Sequence, residues 1–303
     1  MKRFENNSRV CFVGDSITHT GLFIKFIADH YRCNFPGSGV EFYDCGISGG
    51  TLGNTIKVFR EDIAIYDPTH IVLMIGINDS DIGCLDEGAS KEKYEKLFAA
   101  FETYKNNLEC FYNITRERDI ELILCTPTPY AEYIESDVKP LRGGYALLQG
   151  YAAFVRKFAA ERGIALCDYH TAVTKAMQSE SLYNADRVHP TQKGHMQMAK
   201  TFLEFQGLEL AEKESYPLEL EEWYAVVQKL RNIIATEYFN IPGYTDMDSG
   251  ERSAIIQKLY DGLKAGTYET TPYFASLIDA YPENKKKQAE YIEFVKHFMR
   301  GGR

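Results

Sequence analysis

The stretch "RVCFVGDSITHTG", Arg9 to Gly21, runs from an apolar, β-branched segment straight into Gly-Asp-Ser. Read locally, Gly14 and Asp15 make a turn that stops a strand. Read chemically, Ser16 is a small nucleophile held at a strand end, in the loop where open parallel sheets bind their ligands. The choice between the two depends on what the rest of the chain places beside it.

Further strand-like runs follow at intervals: "VEFYDC" (40–45), "HIVLMIG" (70–76), "IELILCT" (120–126) and "GIALCD" (163–168). With 9–14 they make five short, largely apolar segments of the kind buried on both faces of a sheet. Amphipathic segments at about 19–32, 52–66, 90–118 and 143–162 lie between them. This alternation predicts a parallel sheet with helices on both sides and right-handed crossovers. A last helix is expected after "HPT" (189–191), with Pro190 at its start and His195, Met198, Ala199 and Phe202 on its inner face. It closes a first domain, 1–206. Residues 207–303 carry no comparable strand. They read as a helical C-terminal extension with apolar stripes around Trp223, Leu259 and Phe294, which offers a contact to the core or to a second copy of the chain.

Composition removes several classes of function. The formal net charge is -9, and the longest basic run is Lys285-Lys286-Lys287, so a nucleic-acid partner is not expected. No apolar run reaches the roughly 18 residues of a membrane span. The N-terminal "MKRFENNSRV" lacks the apolar centre of a secretory signal, so a cytoplasmic protein is expected. The seven cysteines form no CxxC or Cys/His pair with zinc-ligand spacing and read as reduced, mostly buried thiols. No metal or organic cofactor is expected.

A serine hydroxyl is a poor nucleophile unless a base takes its proton. Among seven histidines, His189 in "NADRVHPTQKGH" has an acid, Asp186, three residues before it, spaced to accept the ring N–H and fix the tautomer. A second pair, Asp168 and His170 in "CDYH", is the competing candidate. Acyl transfer also needs donors for an oxyanion. "CGISGGT" (45–51) offers backbone N–H groups at Gly49, with Gly46 and Gly50 as alternatives, and "GINDS" (76–80) offers the Asn78 amide.

Taken together, "GDSIT", "GISGGT", "GINDS" and "DRVHP" resemble, in order and approximate spacing, the four motifs of the SGNH hydrolases, or GDSL esterases, over residues 8–206. The resemblance implies a three-layer α/β/α sandwich around a flavodoxin-like, five-stranded parallel sheet, and cofactor-free ester hydrolysis. It implies Ser16 as nucleophile, His189 as base and Asp186 as its orienting acid. The oxyanion would lie among the Ser16 and Gly49 N–H groups and the Asn78 side chain, with Asp15 structural. The expected substrate is a small-molecule ester, a short acyl group, acetyl, on a carbohydrate. Lipids, thioesters and aryl esters are the other substrate classes the resemblance implies. Tyr130 and Tyr133, in the loop after the fourth strand, could face a sugar ring. A reading from another class makes the chain a binding or scaffold protein acting through residues 207–303.

Overall fold

The computed structural model describes residues 1–86 and 90–210. The expected extension, apart from its first four residues, and its suggested contact with a second copy therefore lie outside the described residues.

Five strands form one parallel sheet: β1 (Arg9–Gly14), β2 (Glu41–Gly46), β3 (His70–Met74), β4 (Glu121–Cys125) and β5 (Ala165–Cys167). Their order is β2-β1-β3-β4-β5. The register pairs Gly14 with Gly46 on one side and with Met74 on the other, so β1, β2 and β3 end level with one another. The chain leaves β1 towards one edge and returns to build the other half from β3 onward. The gap between the ends of β1 and β3 is thus the topological switch point, where doubly wound sheets open a crevice.

Side-chain alternation along the strands sorts the helices into two outer layers. Cys11, Val13, Ile71, Leu73, Leu122 and Leu124 face one way. They pack on α3 (Leu52–Lys57), α4 (Phe59–Asp62), α5 (Lys91–Glu117) and α6 (Gly144–Arg162) through Leu108, Phe111, Val155 and neighbours. On the opposite face Phe12 meets Phe23 of α2 (Leu22–Asn34) at 5.7 Å between ring centroids and Phe202 of α8 (Gln192–Phe205) at 5.5 Å. Helices on both faces of a parallel sheet make the expected three-layer sandwich.

Four local departures have physical causes. The segment expected as one helix at 19–32 is two, α1 (Ser16–Thr20) and α2, because Gly21 turns left-handed between them (φ 68°). The segment 52–66 breaks at the β-branched Val58, which leaves helical geometry (φ −104°, ψ 14°), and it ends in a 3-10 turn at Ala64–Tyr66. A short helix, α7 (Tyr169–Ala176), stands where none was expected; Asp168 caps it by accepting from the Thr171 N–H. α8 begins after "HPT", as expected, but Pro190 is not its first residue. Thr191 is the cap, accepting from Gly194, and Pro190 stands one residue earlier in an antiparallel bridge with Tyr183.

Among the described residues no helix is long and apolar enough to cross a membrane. All seven cysteines are free, and five of them, Cys11, Cys45, Cys84, Cys125 and Cys167, are buried.

Candidate active site

β1 is buried from Val10 to Asp15 and delivers Ser16 as the first residue of α1. The Asp15 carboxylate caps that helix, accepting from the Ile17 N–H at 3.0 Å, which fixes the turn under Ser16. Ser16 itself remains half-buried. Its Oγ lies 2.8 Å from His189 Nε2, and His189 Nδ1 lies 2.7 Å from Asp186 Oδ2. The other oxygen of Asp186 accepts from the backbone N–H of Val188 (3.0 Å) and of His189 (2.9 Å). One carboxylate therefore holds both the backbone and the ring of the histidine. Burial works against its charge, but those two amides and the imidazole outweigh it and keep Asp186 below the ordinary carboxylate range.

The loops after β2 and β3 close in beside Ser16. Ile47 N–H donates to Gly14 O (2.9 Å), which ties the second loop to the end of β1. Asn78 Nδ2 donates to Gly50 O (3.0 Å), which ties the third loop to the second. The three candidate glycines are not equivalent. Gly46 N–H is engaged by Asp44 Oδ1 (2.9 Å) and Gly50 N–H by Ile47 O (2.8 Å). Gly49 is exposed and left-handed (φ 70°), with no atom within 4 Å of where a Cβ would sit, so this backbone stands open to a ligand.

Two buried carboxyl groups support the crevice from below. Asp79, next to Asn78, accepts from the Leu52 N–H at the start of α3 (2.9 Å), and its own carbonyl accepts from the Tyr151 hydroxyl (3.2 Å). Burial pushes Asp79 up to about 6 against that amide bond. Asp15 is also raised to about 6, by burial first and then by the charge of Asp79, with the Ile17 amide and His189 pulling the other way.

The competing pair separates into structural parts. Asp168 faces the Arg156 guanidinium with both oxygens (2.9 Å each) and accepts from Thr171 and Thr126, bonds in which it acts as cap and anchor. Burial alone would raise it, but these partners hold it at about 2. His170 is buried and bears no hydrogen bond to Asp168; burial and the nearby Arg156 push it down to about 4.

The tyrosines also divide. Tyr130 is 2 % exposed, and its hydroxyl accepts from the Leu141 N–H (2.9 Å). A ring enclosed between Ile77, Leu148 and Gly144 cannot lie against a sugar, so the expectation for Tyr130 is corrected: it is a wall of the loop, not a contact face. Tyr133 is 82 % exposed, with its ring 6.4 Å from that of Tyr145.

Arg187, inside "DRVHP", was not singled out from the sequence, and it is the most heavily bonded side chain near the histidine. It is 3 % exposed and left-handed (φ 68°), a conformation costing a non-glycine residue about 1–2 kcal/mol. All its side-chain hydrogen bonds run to backbone carbonyls of the 131–138 loop.

A serine hydroxyl, an imidazole and a carboxylate thus stand in line near the switch point, with a side-chain amide in the loop after β3. Residues 12–197, more than half of the chain, match the GDSL-like Lipase/Acylhydrolase family. The protein belongs to that family and is a serine hydrolase of the esterase class. It is 28 % identical over 223 residues to an acetylxylan esterase of Geobacillus stearothermophilus, a match covering 67 % of this chain and 96 % of that one. A solved structure of an acetylxylan esterase from the same organism is 25 % identical and superposes with a TM-score of 0.56, covering 71 % of this chain and all of the other. A gut microbial diltiazem-metabolizing enzyme is 27 % identical with a TM-score of 0.63 over 68 % of this chain; the match spans only 48 % of that enzyme's length.

Proposed function

We propose that the protein removes short acyl groups, acetyl above all, from an acylated carbohydrate, with Ser16, His189 and Asp186 as the catalytic triad. The observation that carries this reading is the unbroken chain from Ser16 Oγ to His189 Nε2 (2.8 Å) and from His189 Nδ1 to Asp186 Oδ2 (2.7 Å). The similarity to an acetylxylan esterase over 96 % of that protein supports the choice of acyl group and substrate.

In this mechanism the Nδ1 proton of His189 points to Asp186, which leaves Nε2 with a lone pair towards Ser16. As Oγ bonds to the ester carbonyl carbon, its proton passes to Nε2 and the carbonyl oxygen takes up negative charge. The N–H groups of Ser16 and Gly49 and the free N–H of the Asn78 amide stabilise that charge, while the other Asn78 N–H keeps its bond to Gly50 O. The C–O bond to the alcohol then breaks, and His189 returns the proton to the departing oxygen. Water repeats the cycle on the acyl-serine, releasing the carboxylic acid and restoring Ser16. Asp186 stays ionised throughout and stabilises the imidazolium.

The test is acetate release from an acetylated xylo-oligosaccharide, alongside hydrolysis of p-nitrophenyl acetate, by the protein and its Ser16→Ala variant. The variant should lose on the order of 10⁴-fold or more in kcat on both. An organophosphonate should label the unaltered protein once, at Ser16. Undiminished hydrolysis by Ser16→Ala would reject the nucleophile. Hydrolysis of the aryl ester alone would reject the carbohydrate. No hydrolysis by either form would favour the binding-protein reading.

A further inference from the structure

We propose that Arg187 is a positioning residue: it fastens the 131–138 loop to the turn that carries His189, and the fastened loop, through Tyr133, decides how large an ester the site accepts. The inference rests on the reading of His189 and Ser16 given above.

The guanidinium reaches five carbonyls of one short segment. Nη1 donates to Ala131 O (3.3 Å), Glu132 O (3.1 Å) and Ile134 O (2.6 Å), Nη2 to Ser136 O (3.4 Å) and Val138 O (2.9 Å), and Nε to Val138 O (3.0 Å). The loop is therefore curled around the cation with its carbonyls turned inward. Two further bonds join the loop to the same turn: Ala131 N–H donates to Arg187 O (2.9 Å), and Ser136 Oγ donates to Ala185 O (2.7 Å). A buried cation is costly unless its donors are all met, and here carbonyl dipoles meet them. A lysine has three donors at one point and cannot span this ring of acceptors.

The position of Arg187 in the chain gives the tie its consequence. Its neighbours are Asp186 and Val188, and the Asp186 carboxylate holds the amides of Val188 and His189. The start of the loop is pinned a second time, because the Glu132 carboxylate accepts from the amides of Gly143 (3.0 Å) and Tyr145 (3.2 Å). Between these anchors Tyr133 projects outward at 82 % exposure. An aromatic ring held out from a loop that is otherwise bonded inward suits contact with the alcohol part of an ester, the part that varies in size.

The experiment uses the full chain with three variants, Tyr133→Ala, Arg187→Lys and Ser136→Ala. The last removes one tie without touching the buried guanidinium and stands in if Arg187→Lys does not fold. The substrates are p-nitrophenyl acetate, α-naphthyl acetate and an acetylated xylo-oligosaccharide. Tyr133→Ala should lower kcat/KM on the oligosaccharide by about tenfold, mostly through KM, and lower it far less on the smallest ester. Arg187→Lys should show the same ordering by substrate size, with faster hydrogen exchange of the 131–138 amides. Combined with Tyr133→Ala it should add less than the product of the two separate effects, as residues acting through one element do. Equal losses on every ester, unchanged exchange in the loop, or no discrimination by size in Tyr133→Ala would overturn the proposal. If the unaltered protein cleaves both aryl acetates but not the oligosaccharide, the carbohydrate reading fails by itself. The comparison of the two aryl esters and the exchange rates then still decide the role of Arg187.

Discussion

His189 Nε2 lies 2.8 Å from Ser16 Oγ, although 173 positions of sequence separate the two residues. The two faces of β1 and its end explain the meeting. The strand carries Ser16 at its tip, and its Phe12 packs on Phe202 of α8, the helix that begins just after His189. The same apolar strand thus places the serine directly and the histidine through the helix packed beneath it. The contact rests on burial of that aromatic cluster as much as on the hydrogen bond itself.

From this follows a ranking of the two candidate histidines, His189 above His170. His189→Ala should lose about as much activity as Ser16→Ala, because groups that act as a unit are lost as a unit. His170→Ala should stay within a few-fold of the unaltered protein, since its ring makes no bond to Asp168 and its backbone N–H keeps its own partner, Thr126 Oγ1, at 2.8 Å. Rates on p-nitrophenyl acetate, normalised to folded protein, check it. The reverse order would move the site to the end of β5.

The oxyanion assignment gives a second expectation. Asn78→Ala removes an amide whose Nδ2 is already oriented by Gly50 O at 3.0 Å, so the remaining N–H is held in place before substrate arrives. The loss should fall on kcat, by roughly 10²–10³-fold, with KM little altered. A raised KM at normal kcat would instead make Asn78 a ground-state contact.

Much of this arrangement was legible in the sequence, for particular reasons. Strands such as Val10–Gly14 and Ile71–Met74 are buried on both faces, so they read as continuous apolar runs. The motif serine, histidine and asparagine follow strands or precede a helix, positions that local pattern marks well. What could not be read depends on contacts distant in sequence. Arg187 looks like any surface cation until residues 131–138 wrap it. Tyr130, an aromatic in a polar loop, looks exposed until the loop folds back on Gly144 and α6. The α7 helix was hidden because its cap, Asp168, also resembled half of a catalytic pair.

The structural reading of Asp168 predicts a pH dependence. Burial would raise its carboxyl, but Arg156, Thr171 and Thr126 hold it down at about 2, below the ordinary 3.8. A carboxylate depressed in the folded state contributes stability that is complete above its unfolded value and lost as pH falls towards the folded one. Asp168→Asn should therefore cost about 1–3 kcal/mol at neutral pH, through the lost charge-assisted bonds and cap. The gap between the two melting temperatures should narrow between pH 7 and pH 3. A gap that stays constant or widens on acidification would show that the ion pair is not the source of the stability.

A final expectation separates the glycines at the sheet edge by what surrounds them. A Cβ on Gly46 would stand 2.2 Å from His19 N and 2.7 Å from Thr18 C, both backbone atoms of α1, so the short helix that starts at Ser16 would have to move. Overpacking of this kind costs about 1–3 kcal/mol, and the displaced helix takes Ser16 with it. A Cβ on Gly49 would meet nothing within 4 Å, and alanine there carries only the strain of its left-handed backbone, about 1–2 kcal/mol at most. Gly46→Ala should accordingly show the larger fall in melting temperature and should also lower kcat on p-nitrophenyl acetate. Thermal unfolding of the two variants side by side decides the matter. If Gly49→Ala proves the more damaging to stability, the loop after β2 is held more tightly than its open surroundings indicate, and close packing of α1 on β2 is not what positions Ser16.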